Sequence, residues 1–411
     1  MRRMLPSKHR LWILSEVFYP EETGTGHYIT GIAEYLAQTR NVAALCVQPS
    51  YSSAGARALP REEHGGVDIF RCAAILLRGR SLAARLLKMS SITLSLLMNA
   101  LLRVRKGDSI LAVTNPPTLP VMAAILSWAR GIPYTLVVHD VYPEILAACG
   151  KTTTRSLTYR LMLRINRWAL RRASRITTIG ADMMEHLTAV RGTGSSEGIT
   201  MIPLWSDLGD VNPDRKENNA LLEEIGAADK MVVLYAGNMG FPHGIDTLAE
   251  VTRRLAGDKD IHFLFIGSGP KRRIIEELAD SGAGNITILN PRPRAEQNEF
   301  LNACDVSILS LESGMLGLAV PSRTYNIMAA GKPVIALVSS RSETAKVVLE
   351  EGIGWVIEPG DVAGATAAIL EAKMNRALLR EMGARARKAA EQKYTQDSIL
   401  RQFDSLLADL T

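Results

Sequence analysis

Short apolar runs and amphipathic stretches alternate along this chain almost from end to end, and that alternation restricts the fold more than any other feature. Strand-like runs fall at residues 11–14, 42–47, 109–114, 134–138, 176–179, 231–235, 262–266, 286–289, 306–309, 333–337 and 355–357. Helical periodicity fills gaps between them, at 27–39, 119–130, 245–255, 271–279, 296–303 and 343–349. Strands separated by helices pair in parallel through crossover connections, so the expected class is α/β. At 411 residues the chain exceeds one ordinary core, and two domains are expected. The break falls near Ile202-Pro203-Leu204-Trp205-Ser206-Asp207, followed by a polar segment over 207–219. A last helix over 396–410 sets Ile399, Phe403, Leu406, Leu407 and Leu410 on one side. The expected division is 1–205, 206–393, and a terminal helix segment, 394–411, packing back on the first domain. Ligands of open parallel sheets bind beyond the carboxyl ends of the strands, and two such domains facing each other suit group transfer.

Charge is divided unevenly. Residues 1–200 carry 25 Lys and Arg against 13 Asp and Glu, whereas residues 201–411 carry 23 against 29. The first half therefore suits a polyanion: an anionic membrane surface, a pyrophosphate-bearing substrate or a nucleic acid. It lacks interleaved aromatics and any recognised nucleic-acid module, so no nucleic acid is expected as partner. Cys46, Cys72, Cys149 and Cys304 lie far apart without a C-x-x-C pair, which fits a reducing cytoplasm and neither a disulfide framework nor structural zinc. The run at 11–14 is too short for a signal peptide, and no stretch reads as a transmembrane helix.

Five segments carry candidate chemistry. V-P-S-R-T-Y-N-I-M-A-A-G-K-P-V-I-A, residues 320–336, runs from a polar loop (Pro321, Ser322, Arg323) into a short helical stretch at 325–330, a stop at Gly331 and a strand. A helix N-terminus offers unpaired N–H groups that suit a phosphate; the same order also suits an ordinary αβ turn. Thr23-Gly24-Thr25-Gly26-His27 follows the first strand, as either a phosphate-facing loop or a tight turn. Val138-His139-Asp140-Val141-Tyr142-Pro143-Glu144 presents three ionisable groups where a strand ends, an active-site arrangement unless Asp140 caps a helix. Gly237-Asn238-Met239-Gly240 with His243-Gly244, and Gly267-Ser268-Gly269-Pro270-Lys271, each repeat strand, glycine turn and helix.

Taken in order, these segments resemble family-4-type glycosyltransferases, of the P-S-x-x-Y subgroup seen in surface-polysaccharide biosynthesis, over residues 12 to about 403. The resemblance implies a GT-B fold: two Rossmann-like domains with parallel sheets facing across a cleft. It implies a metal-independent, hexosyltransferase-type enzyme, retaining in outcome, with a nucleotide sugar (a UDP-sugar first) as substrate and no cofactor. His139 then meets the donor sugar near the anomeric centre, with Asp140 and Glu312 as further catalytic candidates. Gly24 and Gly26 form the loop near pyrophosphate and acceptor. Gly237, Asn238, Gly267, Gly269, Arg294, Ser322, Arg323, Tyr325 and Asn326 hold the donor. Three positions depart from the family pattern. Asn238 and His243 stand where an Arg and a Lys usually grip the diphosphate, leaving Arg323, Lys332, Arg292 and Arg294 as substitute cations. Asn326 stands where a glutamate commonly takes the ribose hydroxyls. No D-x-D motif is assigned to a metal.

The first half also carries two basic, apolar helices. Arg160, Arg164, Arg167, Arg171 and Arg175 recur every three or four residues beside Leu157, Leu161, Ile165 and Trp168. Arg78, Arg80, Arg85 and Lys88 introduce a second, rich in Leu and Met. Such faces suit either an anionic headgroup layer or an ordinary solvated surface. Lipid-linked acceptors are frequent among these transferases, so the resemblance favours Arg160, Arg164, Arg167, Arg171 and Lys88 as membrane or acceptor contacts. A peripheral place on the inner face of the cytoplasmic membrane follows. Two other readings stay open: a non-hydrolysing nucleotide-sugar epimerase, which shares the GT-B plan, and a scaffold subunit that kept the fold and lost the chemistry.

Overall fold

The computed structural model describes residues 9–49, 57–75, 82–214, 216, 219–282 and 284–408. Arg78, Arg80, Leu410 and the side chain of Arg85 lie outside these. The first sheet takes β1 (Leu11–Leu14), β2 (Val42–Val47), β3 (Arg61–His64), β4 (Val67–Cys72), β5 (Ser109–Val113), β6 (Tyr134–Val138), β7 (Arg175–Thr178) and β8 (Ile199–Met201). Their order across the sheet is β3-β4-β2-β1-β5-β6-β7-β8. The second takes β9 (Met231–Ala236), β10 (Ile261–Ile266), β11 (Ile286–Leu289), β12 (Val306–Ser310), β13 (Val334–Leu337) and β14 (Gly354–Ile357), ordered β11-β10-β9-β12-β13-β14. Every pairing is parallel except β3 against β4. β1, β2, β5 and β6 are buried along their whole length, because helices cover both faces of a parallel sheet.

Two features were not evident in the apolar pattern. Arg61–His64 contains no apolar residue, yet it pairs with β4 across a tight turn at Gly65-Gly66, where both glycines have positive φ. The helices Val362–Met374 and Arg376–Lys393 bury mainly alanines, including Ala365, Ala368, Ala386 and Ala390. Small side chains leave only a weak hydrophobic period.

Strand order reverses between β1 and β5 in one lobe and between β9 and β12 in the other. Loops leaving the carboxyl ends at such a reversal diverge and open a crevice. The chain crosses between lobes at 202–207 and again near Thr395, which forms an isolated parallel bridge with Ser206. The last helix, Gln396–Leu407, then lies against the Gly24–Ala37 helix, with Arg40 and Asp404 paired at 2.8 Å. Helices Leu82–Arg103, Leu119–Arg130 and Leu157–Arg172 pack side by side on the first lobe. Among the described residues no helix is long and apolar enough to cross a membrane.

Candidate active site

The reversal points supply one shared cleft. Its main cavity, of 460 Å³, is lined from the first lobe by Gly24, Thr25, Asn115, His139 and Asp140, and from the second by Gly237, Asn238, His243, Ser322 and Arg323. A second cavity, of 380 Å³, continues under the second lobe past Gly267, Ser268, Arg292 and Gln297, and shares Thr23, Gly237, Asn238 and Arg323 with the first.

His139 sits where β6 ends. Its backbone N–H donates to Thr114 Oγ1 (3.2 Å), and Nδ1 lies 3.3 Å from Thr25 Oγ1. Nε2 is buried without a hydrogen-bond partner. Burial holds the imidazole down to about 4, so the ring is neutral at physiological pH and can donate or accept a hydrogen bond without adding charge. Burial also pushes Asp140 up to about 6. Its backbone forms an antiparallel bridge with Ala319, and the Val141 N–H donates to the Leu318 carbonyl at 3.0 Å. The strand end carrying His139 is thereby tied to the loop that enters Ser322 and Arg323.

Arg323 is the cation at the seam of the two cavities. Its guanidinium donates to the Ala236 carbonyl at 2.5 Å and lies 4.6 Å from the centroid of the Tyr235 ring. That position requires Gly237, whose φ is +149° and where a Cβ would collide with the guanidinium. A Cβ at Gly267 would strike the Gly237 carbonyl, so the ends of β9 and β10 stack backbone on backbone. His243 also faces the main cavity with Nδ1 unpartnered; burial first, then Arg323, hold it down to about 3. Ser322 makes no capping bond with its side chain and opposes Gly24 across the cleft.

Other expected site residues lie elsewhere. Gly26 and Gly269 are packing glycines, pressed against the Glu21 carbonyl and the Met239 backbone. The Glu312 carboxylate is held by Lys271 at 2.6 Å and does not line either cavity. Tyr325 is buried against Tyr394, ring centroids 5.1 Å apart. Asn326 uses both ends of its amide, accepting from the Asp207 N–H (2.9 Å) and donating to Asp207 Oδ2 (2.8 Å) and Gln297 Oε1 (3.1 Å). Arg294 pairs with Asp207 as well, and its N–H donates to Glu22 Oε2 at 3.1 Å. Lys332 precedes β13 and so stands at the far end of that sheet from the cleft, which removes it as a diphosphate partner. Arg167, half-buried, and Arg171, exposed, hold the carbonyls of Val190 (2.7 Å) and Arg191 (2.8 Å), while Arg160 and Arg164 are exposed without such a bond among the described residues. Lys88 is half-buried and pairs with Glu16 at 3.6 Å.

Asp207, absent from the expected residues, lines neither cavity but is the centre of the network at Asn326 and Arg294. It accepts from His27 Nε2 (2.9 Å), Trp205 Nε1 (3.2 Å) and Asn326, and pairs with Arg294. Burial alone would raise its carboxyl, but the His27 hydrogen bond and the charges of Arg294 and His27 hold it well below the carboxylate range. A carboxylate thus stands beside the neutral amide of Asn326. No local pattern in a polar linker joins Asp207 to a histidine 180 residues away.

The comparisons with known proteins agree with this geometry. A family model described as a Glycosyl transferase 4-like domain matches residues 23–205, and one described as Glycosyl transferases group 1 matches residues 230–375. The probable glycosyltransferase WbjE of Pseudomonas aeruginosa is 33% identical over 260 residues, which span 63% of this chain and 64% of that protein. The putative colanic acid biosynthesis glycosyl transferase WcaI of Escherichia coli K12 is 26% identical over 410 residues, covering 94% of this chain and 96% of that one. HepE of Anabaena, solved in complex with UDP and glucose, superposes with a TM-score of 0.73 at 16% identity, over 98% of this chain and 100% of its own.

Proposed function

The chain belongs to the family-4-type glycosyltransferases of the GT-B fold, and we propose that it moves a sugar from a nucleotide-diphosphate donor to a lipid-linked or polysaccharide-precursor acceptor. One observation carries the reading: His139 from one lobe and Arg323 from the other line a single cavity. The donor sugar lies at His139, the diphosphate at Arg323, and the nucleoside in the continuing cavity past Gly267. A UDP-sugar is the first candidate, since a structural neighbour was solved with UDP and glucose.

In transfer, the bond from the anomeric carbon to the diphosphate oxygen breaks, and a bond to the acceptor hydroxyl oxygen forms on the same face of the sugar. The hydroxyl proton passes to the departing diphosphate. Neutral His139 hydrogen-bonds the sugar without adding charge. Arg323 and backbone N–H groups of the glycine turns meet the charge that grows on the leaving group, so no metal is obligatory.

The surface of the first lobe supports a proposed location. Leu94, Met98 and Leu102, Trp128, and Leu157, Leu161 and Trp168 stand exposed on three neighbouring helices, with Leu102 at 78%, Trp128 at 67% and Leu157 at 82%. Arg130, Arg160 and Arg164 are exposed among them. Aromatic and leucine side chains beside arginines suit the headgroup layer of an anionic bilayer, so the proposed place is peripheral, on the cytoplasmic face.

A thermal-shift panel of UDP-, GDP-, ADP- and dTDP-sugars tests the donor, because a ligand bound only by the folded state raises the midpoint. A shift with UDP-sugars is expected; no shift with any nucleotide sugar supports the scaffold reading instead. Isomerised sugar from donor alone, without acceptor, marks an epimerase.

A further inference from the structure

The outer end of the second lobe carries another basic hollow, which shares no lining residue with the cleft. It opens where the chain enters β9, β12 and β13, at the amino ends of strands whose carboxyl ends face the cleft. Its volume is 360 Å³, and Lys216, Lys230, Lys332, Arg376 and Arg380 line it. Two carboxylates share the wall. Asp305 accepts from Lys216 Nζ (2.5 Å), Arg376 (2.6 Å) and the Val232 N–H (2.7 Å), so its charge is engaged by those two cations. Asp229 is exposed at the rim and forms no ion pair among the described residues. Lys230, Lys332 and Arg380 have no carboxylate partner among the described residues; Lys332 Nζ reaches only the Asn302 carbonyl, at 3.4 Å.

The helix on one wall adds to the imbalance. Arg376–Lys393 begins at an Asn375 cap and has no acid in its first turn. It places Arg376, which Asp305 already holds, and Arg380 one turn apart at the positive end of the helix, where Arg380 meets the helix dipole and a neighbouring guanidinium with no acid of its own among the described residues. A bound anion relieves both repulsions. Ammonium groups offer point charges and a guanidinium a planar fork, a combination that suits phosphate oxygens.

We propose that this hollow binds a phosphate-bearing small molecule through Lys230, Lys332 and Arg380. It is a second anion site, separate from the one at Arg323, and it does not rest on the transfer reading. Inorganic diphosphate is the probe, titrated calorimetrically into the 411-residue chain carrying Arg323→Ala, which weakens the cleft site. Binding is expected to persist in that background and to weaken as salt rises. Adding Lys230→Ala and Arg380→Ala should weaken it about tenfold or more, as two charge-assisted contacts are lost. Lys332→Gln, a milder change, should weaken it measurably if the double substitution disturbs folding, and Lys230→Arg should retain it. Loss of all diphosphate binding with Arg323→Ala alone, or unchanged affinity in the outer-site variants, overturns the proposal and leaves the cleft reading standing.

Discussion

At His139, side-chain type and surroundings point the same way: a strand end delivers an imidazole that burial keeps neutral, with one nitrogen near Thr25 and the other unpartnered. His139→Ala is expected to lower kcat about a hundredfold while changing donor affinity no more than about threefold, since the lost contact acts where bonds change. Initial rates and donor titration separate the two, and an equal loss in both moves His139 out of the reaction centre. Asp140 gives a pH signature. Its carboxyl, raised to about 6, binds a proton more readily in the folded than in the unfolded state. The stability it contributes is therefore full below the ordinary carboxylate value and is lost as pH rises through about 6. Activity that needs the ionised carboxylate should run the other way and fall as pH drops through about 6; Asp140→Asn should abolish that inflection in the rate profile. His139 was legible as an ionisable group at a strand end, and Arg323 through the family resemblance, since the order of its segment also suits an ordinary αβ turn. Asp207 was not, because its partners His27, Arg294 and Asn326 converge only after both lobes have folded.

Among elements, the amphipathic helix Leu157–Arg172 could be read from spacing, yet spacing did not say what each arginine meets. Helix packing decides that: the carboxyl end of Ala181–Arg191 presents carbonyls to Arg167 and the exposed Arg171, and leaves Arg160 and Arg164 exposed without such a bond among the described residues. The two pairs should behave differently. Arg160→Glu with Arg164→Glu is expected to lower co-sedimentation with phosphatidylglycerol vesicles about tenfold or more, with the thermal midpoint unchanged, since each basic residue near an anionic surface contributes about 1 kcal/mol. Arg167→Glu should lower the midpoint instead. Vesicle binding that survives the first pair rules out this face as the membrane contact. The β3–β4 hairpin and the alanine-faced helices near the C-terminus show the opposite limit: apolar periodicity is silent where an edge strand is charged or a buried face is made of methyl groups.

Across the whole molecule, two facing parallel sheets were legible from alternation alone, whereas the contacts that hold the lobes together were not. Among those contacts are backbone N–H groups meeting carboxylates. The Gly317 N–H donates to Asp182 Oδ2 and the Ala181 N–H to Glu343 Oε2, both at 3.0 Å, and Gly317 lies just before Ala319 of the Asp140–Ala319 bridge. Burial raises the carboxyl pKa of both acids, and for Glu343 the nearby Asp182 raises it further. Each therefore holds a proton more tightly when the lobes are packed. Stability from this pair is present at acid pH and lost as pH rises past the ordinary carboxylate range, so at neutral pH the ionised pair opposes the closed arrangement. Glu343→Gln keeps an oxygen to accept the Ala181 N–H and removes the charge. It is expected to raise the thermal midpoint more at pH 7 than at pH 4, because protonation at acid pH removes that charge in the unsubstituted chain as well. An equal gain at both values would assign the effect to packing, and a loss at pH 7 would show that the charge itself holds the interface. Because the Asp182 contact lies on the loop that leads to Ser322 and Arg323, the same substitution should tighten donor binding at neutral pH, by favouring the lobe arrangement in which His139 and Arg323 share one cavity.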